Sequence, residues 1–387
     1  MAKSTRFRDT GKGSFFGDFL YQSIIQRHRD HFLVAVYHLF DWSAWSEKLL
    51  ALYKGRGERG APPYDPVMLF KILFLSYLYD TSERAIVEIA DLNLLLKWFL
   101  GLAVDEEPPD HSSLTVFKRR LQEGQGWATL QAIFADMIQQ ARAQGLKMGC
   151  IQVLDSVHTC ADVDAAKERQ REEQGHPPRD PDARLVHKGR RRVVTPEGQT
   201  KYQQMCYMGY KTHASVNAET GIVTAIDPAL GNSADNKAFP ALRQQDRDLD
   251  LPTEIYAGDR AYDDTDIHER LEAEGLVSGI HLKTCRTRKK DPHKERWVAL
   301  EADPRHQRGR RARYRVEQVF GLAKRWHGFR RCRYLGLERY RVQSAMTFMV
   351  CNAKRIIKRL TGITLRPLAK GRRAEVFEPV YATLPWA

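Results

Sequence analysis

Three acidic residues stand where oxygen chemistry could be done, and the most informative lies among cations. Glu317 falls in Asp303–Cys332, DPRHQRGRRARYRVEQVFGLAKRWHGFRRC. The middle of this stretch, Arg308 to about Trp326, predicts one helix, because Val316, Val319, Phe320 and Ala323 recur at a 3.6-residue period. Arg313 lies four residues before Glu317 and Lys324 seven after, so all three share roughly one face. A surface salt bridge is the plain reading of such a trio. The sharper reading is a metal-binding glutamate that meets two distant aspartates, with Arg313 and Lys324 gripping nucleic-acid phosphates beside it.

Two aspartates answer that requirement. Asp155 closes the apolar run CIQVLDS, and Asp259 closes the run in EIYAGDRAY. Both runs predict buried strands, and functional groups in open α/β sheets gather at the carboxyl ends of strands. Either aspartate alone could be a strand-end cap. Together with Glu317 they could hold two Mg2+ ions, with Mn2+ as a substitute, since hard cations prefer oxygen ligands. Paired ions would activate a water or a 3′-OH and stabilise the leaving oxygen of an in-line displacement at phosphorus.

Charge points to the same class of partner. The chain has 387 residues and a net charge of +14. Between Cys285 and Arg333, 17 Lys and Arg face 5 Asp and Glu, so a net +12 is concentrated in one block. Such a block suits a polyanion, and nucleic acid is the commonest. Arg286 to Arg296 reads as a solvated loop. Six cysteines without a CxxC pair argue against a zinc ribbon and predict reduced thiols. The N-terminus has no apolar signal core, and the most apolar run, Val67–Tyr79, contains Lys71 and is too short to span a bilayer. A soluble, cytoplasmic protein is expected. No GxxxxGK[ST] motif indicates ATP-driven chemistry.

The elements that must position these groups divide the chain. After an aromatic stretch and a Gly/Arg-rich linker at 55–63, Asp65-Pro66 opens a run of helices: 65–79, 83–91, 92–100 ending at Gly101, 113–122 capped by Ser112, and 127–144. The fourth carries Lys118-Arg119-Arg120. From Cys150 the period changes to that of strands. Strands are predicted at 150–156, 205–218, 221–229, 254–259 and 277–282, with helices at 239–247, 264–274, 308–326 and 341–360. Residues 162–204 read as a polar surface excursion containing the basic KGRRR run. The expected organisation is a helical DNA-binding and dimerisation domain over 1–146, a catalytic domain over 147–361, and a tail over 362–387. The fold class is α/β, a mixed sheet flanked by helices and preceded by an all-α domain.

The residues also carry a family resemblance. LDSVH at Asp155, GYKTH at Gly209, AGDRAY at Asp259 and RVEQVFGLAKRW at Glu317 resemble the DDE transposases of bacterial insertion sequences, in particular the IS-five group. GAPPYDPVMLFKILFL and PPDHSSLTVFKRRL are similar to the InsH-type N-terminal domain of that group. The resemblance covers roughly residues 55–355. It implies a ribonuclease-H-like core that binds divalent metal, with Asp155, Asp259 and Glu317 as the catalytic and metal-holding triad. Arg313, Glu317 and Lys324 also match the Y-(2)-R-(3)-E-(6)-K signature of the related IS-four group, but Arg310 stands at the tyrosine position.

The activity implied is binding of terminal inverted repeats, cleavage at their ends and joining of 3′ ends to target DNA, by a homodimer or larger assembly. Arg310, Arg313, Lys324, Arg325, Trp326 and Lys211 are the expected DNA contacts. Trp297 and Trp326 could stack on an unpaired base, although the core suits Trp326 better. His158 and His213 could face the metals, and one of Asp162, Asp164, Asp227 and Asp235 could stand behind the triad. A DNA-binding repressor without catalysis and a structure-selective nuclease are the competing readings. The intact acid trio speaks against the first, because a pure binder gains nothing from acids beside phosphates.

Overall fold

Asp65 accepts a hydrogen bond from the Val67 N–H, and Pro66 fills the first helical position, so a helix starts there as the sequence predicts. The computed structural model describes residues 7–13, 15–53, 62–194, 198–287 and 291–365. The linker expected at 55–63 and the tail expected at 362–387 lie largely outside the described residues. The N-terminal region holds α1 (Phe15–Arg27), α2 (Phe32–Leu39), α3 (Ser46–Leu50), α4 (Pro66–Leu78), α5 (Glu83–Leu92), α6 (Leu94–Leu100), α7 (His111–Gln122) and α8 (Gly126–Ala143). Every residue of α4 is buried, Lys71 included. The Lys71 ammonium donates to the Phe99 carbonyl at 3.0 Å and lies over the Tyr37 and Trp42 rings, while burial lowers its pKa to about 8. Gly101 ends α6 with φ of 79°, a left-handed cap.

The second region is a six-stranded mixed sheet: β1 (Ile151–Cys160), β2 (Arg184–Val194), β3 (Thr200–Asn217), β4 (Val223–Leu230), β5 (Ile255–Gly258) and β6 (Val277–Ile280). β1, β3 and β4 form an antiparallel meander, and β5 and β6 add to β1 in parallel. The flanking helices are α9 (Ala165–Glu173), α10 (Asp235–Asp248), α11 (Thr265–Ala273), α12 (Lys294–Ala302), α13 (Pro304–Ala312), α14 (Tyr314–Trp326) and α15 (Leu337–Thr361). This mixed sheet between helices, behind a helical N-terminal region, is the expected fold class.

Several local expectations need correction. β1 does not stop at Asp155 but runs five residues further, because β3 continues to pair with it as far as Cys160↔Gly209. The excursion at 162–204 is largely ordered: it contains α9, β2 and the start of β3. The helix predicted over 308–326 is two helices. At Arg313 the backbone tightens to i−3 bonds, Arg313 N–H to the Arg310 carbonyl and Val316 N–H to the Arg313 carbonyl. The break lets α13 lie close on the sheet, where Gly309 meets Gly279 so tightly that a Cβ on either would come within 3.0 Å of the other's backbone. α10 begins at Asp235, so Pro240 sits inside it rather than in its first turn.

α15 joins the two regions. Tyr340 and the whole of 342–353 are buried, because α15 packs against β3, β4 and α14 on one side and α2, α4, α7 and α8 on the other. One hydrophobic core therefore runs across residue 146, from Trp45 and Phe70 to Val153, Phe320 and Met346. Among the described residues no helix is long and apolar enough to cross a membrane.

Candidate active site

The parallel register of β1 and β5 brings the first two acids together. Leu154 lies opposite Gly258, so the next residues, Asp155 and Asp259, leave the paired segment side by side. Asp155 Oδ1 accepts the Ser156 N–H at 2.7 Å, and Asp259 Oδ1 accepts the Ala261 N–H at 2.9 Å, capping the short turn Arg260–Tyr262. Burial pushes the Asp155 carboxyl up to about 6, and the Asp259 charge adds to the rise. Ser156 and Arg313 pull it the other way.

Glu317 reaches this pair through Arg313. On α14 the apolar stripe is as predicted: Val316, Val319, Phe320 and Ala323 are buried. Packing of that stripe holds the helix against β1. Arg313 then spans the gap, with Nη1 3.1 Å from Glu317 Oε1 and Nη2 3.6 Å from Asp155 Oδ2. The plain salt bridge and the acid cluster are thus one constellation. Among the described residues no three His, Cys, Asp or Glu side chains stand close enough to hold a metal ion as placed. The chemistry of the donor set nevertheless fits a hard divalent cation. Two adjacent carboxylates repel each other in a desolvated setting, a third approaches behind a guanidinium, and all their donors are oxygen.

A second layer lies on the opposite face of the sheet, and sequence reasoning found it only in part. Asp235 opens α10, 3.2 Å from both Lys211 Nζ and His213 Nδ1. Burial would raise its pKa, but His213, Ser156 and Lys211 outweigh that and hold it below the usual carboxylate range. Tyr262 was missed. It is fully buried, its hydroxyl finds no hydrogen-bond partner among the described residues, and burial plus the charges of Asp235, Asp155, Asp259 and Asp227 drive its pKa far up. The only sequence signal for it was its place three residues after Asp259.

Other expected site residues lie elsewhere. Lys211 is buried, and its ammonium is engaged by Asp235 and the Ser233 carbonyl, so it positions an acid rather than offering a charge to DNA. Trp297 is fully buried against His268 and cannot stack on a base. Asp162 pairs with Arg331 at 2.7 Å, and Asp164 caps α9. His158 is half-buried and meets Tyr207 edge-on. Of the run on α7, Lys118 is buried on Glu83 at 2.6 Å and Arg120 covers the Tyr53 ring, leaving Arg119 exposed. Arg310, Lys324 and Trp326 are half-buried and Arg325 is exposed, all on the side of the sheet that carries Glu317.

A mixed sheet flanked by helices, with Asp155 and Asp259 side by side where β1 and β5 part and the basic α14 across them, defines the class as an α/β protein behind a helical N-terminal region. Residues 159–353, half of the chain, match the family model described as "Transposase DDE domain", and residues 22–120 match "Transposase domain (DUF772)". The chain belongs to the DDE transposase family. The longer match begins beyond Asp155, so that residue's place in the site rests on the register of β1 and β5. Among solved structures, a piggyBac transposase synaptic complex with hairpin DNA aligns over 86% of this chain and 76% of that chain. Identity is 11% and the TM-score 0.39, too loose a likeness to carry any inference.

Proposed function

We propose that this transposase binds the terminal inverted repeats of an insertion sequence, cleaves DNA at their ends and joins the 3′ ends to target DNA. The observation that carries the reading is the adjacency of Asp155 and Asp259, with Glu317 tethered to Asp155 through Arg313. Asp155, Asp259 and Glu317 would hold Mg2+, or Mn2+ in its place. The bound cation would lower the pKa of an attacking water or 3′-OH and stabilise the leaving oxygen.

The chain's own groups do the rest. Arg313 neutralises two of the acids and is the natural partner for a phosphate once its carboxylates are otherwise engaged. Glu317, more than half exposed, is free to swing toward the aspartates. Lys211 and His213 keep Asp235 ionised behind Ser156. Arg310, Lys324 and Arg325 supply positive potential along the approach, and Trp326 lends a ring beside them. Residues 1–146 are assigned to recognising the ends and pairing protomers, and 147–361 to the chemistry, although one core serves both. Two ends must be brought together, so a homodimer or larger assembly is the working unit.

The test is substitution of the triad. Asp155→Asn, Asp259→Asn and Glu317→Gln should each reduce strand cleavage in Mg2+ or Mn2+ by roughly a thousandfold or more, the scale lost when a group essential to charge stabilisation goes. DNA binding should survive, because removing negative charge beside phosphate does not weaken attraction. Near wild-type cleavage by any one variant removes that residue from the triad.

A further inference from the structure

We propose that the β2–β3 ribbon is a DNA-reading arm whose exposed face lies in the major groove of a duplex leading away from the cleavage site. This rests on the proposed strand-cleavage function. β3 is far longer than the sheet needs. Its pairing with β1 ends at Gly209, and its pairing with β4 begins at Tyr210. Residues 200–207 therefore pair with β2 alone, as a two-stranded ribbon projecting past the sheet. Such a ribbon is marginal in water unless something covers it.

Its composition names the covering partner. Residues 184–204 contain six Lys or Arg and one acid, Glu197. A β-bulge between His187 and Arg190, with Gly189 at φ +67°, shifts the register by one residue. As a result Arg190 lies opposite Gln204, Arg192 opposite Tyr202, and Val194 opposite Thr200. Directly opposed residues share a face. All six are exposed, Tyr202 at 68% and Val194 at 61%, whereas Val193 and Gln203 on the other face are half-buried. Charge alone would serve to protect a sheet edge. Two arginines, a glutamine, a threonine and a tyrosine on one face are the donors and acceptors that read base edges, and the major groove admits a two-stranded ribbon.

The direction of the ribbon also fits. Asp155 lies opposite Ala214, and β3 runs from there through Gly209 to Gln204 and Thr200 in one line. At about 3.3 Å per residue, the arm stands roughly 30–45 Å from Asp155, or about nine to thirteen base-pair steps.

The experiment uses the full-length chain in EDTA, so that binding is read without cleavage. The probes are random-sequence duplexes of about 50 base pairs and duplexes of equal length tiled from the DNA flanking the coding region. Hydroxyl-radical footprinting of the wild type should show protection roughly nine to thirteen base pairs from the cleavage position. Protection that stops short of it overturns the proposal without reference to any variant. Arg190→Ala/Arg192→Ala should bind every duplex about tenfold or more weakly, with the salt slope reduced by about two.

Both side chains are exposed, so thermal melting should match the wild type, and Arg270→Ala, an exposed residue of α11, serves as the control. Gln204→Ala should lower preference for flanking over random duplexes if the arm reads its own element's ends. Equal loss on both overturns base reading by this face, because an arm that only grips the backbone carries no sequence information. Binding within twofold of wild type by the double variant, with an unchanged slope, overturns the arm. Asp155→Asn assayed for cleavage in parallel decides the catalytic reading separately, because the arm is read by binding alone.

Discussion

At the seam between the N-terminal helices and the sheet, a chain of buried polar groups is paired across α15, although the hydroxyls of Thr347 and Tyr77 there have no hydrogen-bond partner among the described residues. At Asp155 and Asp259, where β1 and β5 part, such groups are held in tension. On the seam the Tyr340 hydroxyl lies 3.1 Å from Thr159 Oγ1 and 2.8 Å from Thr212 Oγ1, which in turn lies 2.9 Å from Ser344 Oγ. Asn352 accepts the Val223 N–H and donates to the Val223 carbonyl, completing the sheet where β4 begins. At the acid site burial and the Asp259 charge raise the cost of ionising Asp155, and the Tyr262 hydroxyl and the Nε of Arg313 are buried with no hydrogen-bond partner among the described residues. Fully satisfied networks specify a fold, and unsatisfied ones are tolerated where chemistry needs them. The contrast separates what holds this transposase together from what it works with.

The largest effect on stability should therefore come from the seam. Tyr340→Ala removes a fully buried ring stacked between Tyr210 and Phe329, and strips Thr159 and Thr212 of a partner. The cavity and the orphaned hydroxyls should cost about 3–5 kcal/mol. Urea unfolding measures it. A loss below about 1 kcal/mol would mean the seam is softer than its hydrogen bonds suggest, and the contrast would fail.

The next prediction uses pH, because the two regions should respond with opposite sign in overlapping windows. His327 is buried on the seam, its Nδ1 2.9 Å from the Tyr77 carbonyl, facing Lys354 and Arg333. Burial, reinforced by Lys354, lowers its pKa to about 4 from 6.5. Its stabilisation is complete above 6.5 and is lost as pH falls toward 4, by about 2–3 kcal/mol. Asp155 runs the other way. Its pKa is raised to about 6 from 3.8, so its stabilisation is present below 3.8 and lost as pH rises through 6. His327→Gln should flatten the acid-side loss, whereas Asp155→Asn should add about 1–2 kcal/mol at pH 7. Chemical denaturation at several pH values reads both. A destabilised Asp155→Asn would show that the acid pair is not under tension.

Much of this contrast was legible in the sequence, for identifiable reasons. The α14 stripe, the Asp65-Pro66 start, the Gly101 stop and the strand-end position of Asp259 depend on neighbours within one turn or one strand. What failed depended on distant partners. Nothing at Arg313 marks a helix break; it accompanies the close approach of Gly309 to Gly279, which brings together residues thirty apart in sequence. β1 continues through Ser156 to Cys160 only because β3 is there to receive it. Lys118, Lys211 and Trp297 read as surface or DNA contacts, yet Glu83, Asp235 and His268 draw them inside. Tyr262 was invisible because a buried tyrosine among acids cannot be told from a core tyrosine without coordinates.

The smallest effect tests whether the cations around Glu317 belong to the tense region or to the satisfied one. Arg313 makes contacts of 3.1 and 3.6 Å to two acids that the proposed reaction would give to a cation. If it turns to phosphate when DNA is bound, Arg313→Ala should reduce the salt dependence of DNA affinity by about one unit in the log–log slope. Lys324→Ala, two turns beyond Glu317 on roughly the same face, should do the same. Preference among duplexes should not change in either, because phosphate contacts carry little sequence information. Fluorescence anisotropy across a salt series supplies the slopes. Unchanged slopes in both variants would make the pair structural, and Arg313 would join Tyr340 and Asn352 among the groups that hold the fold.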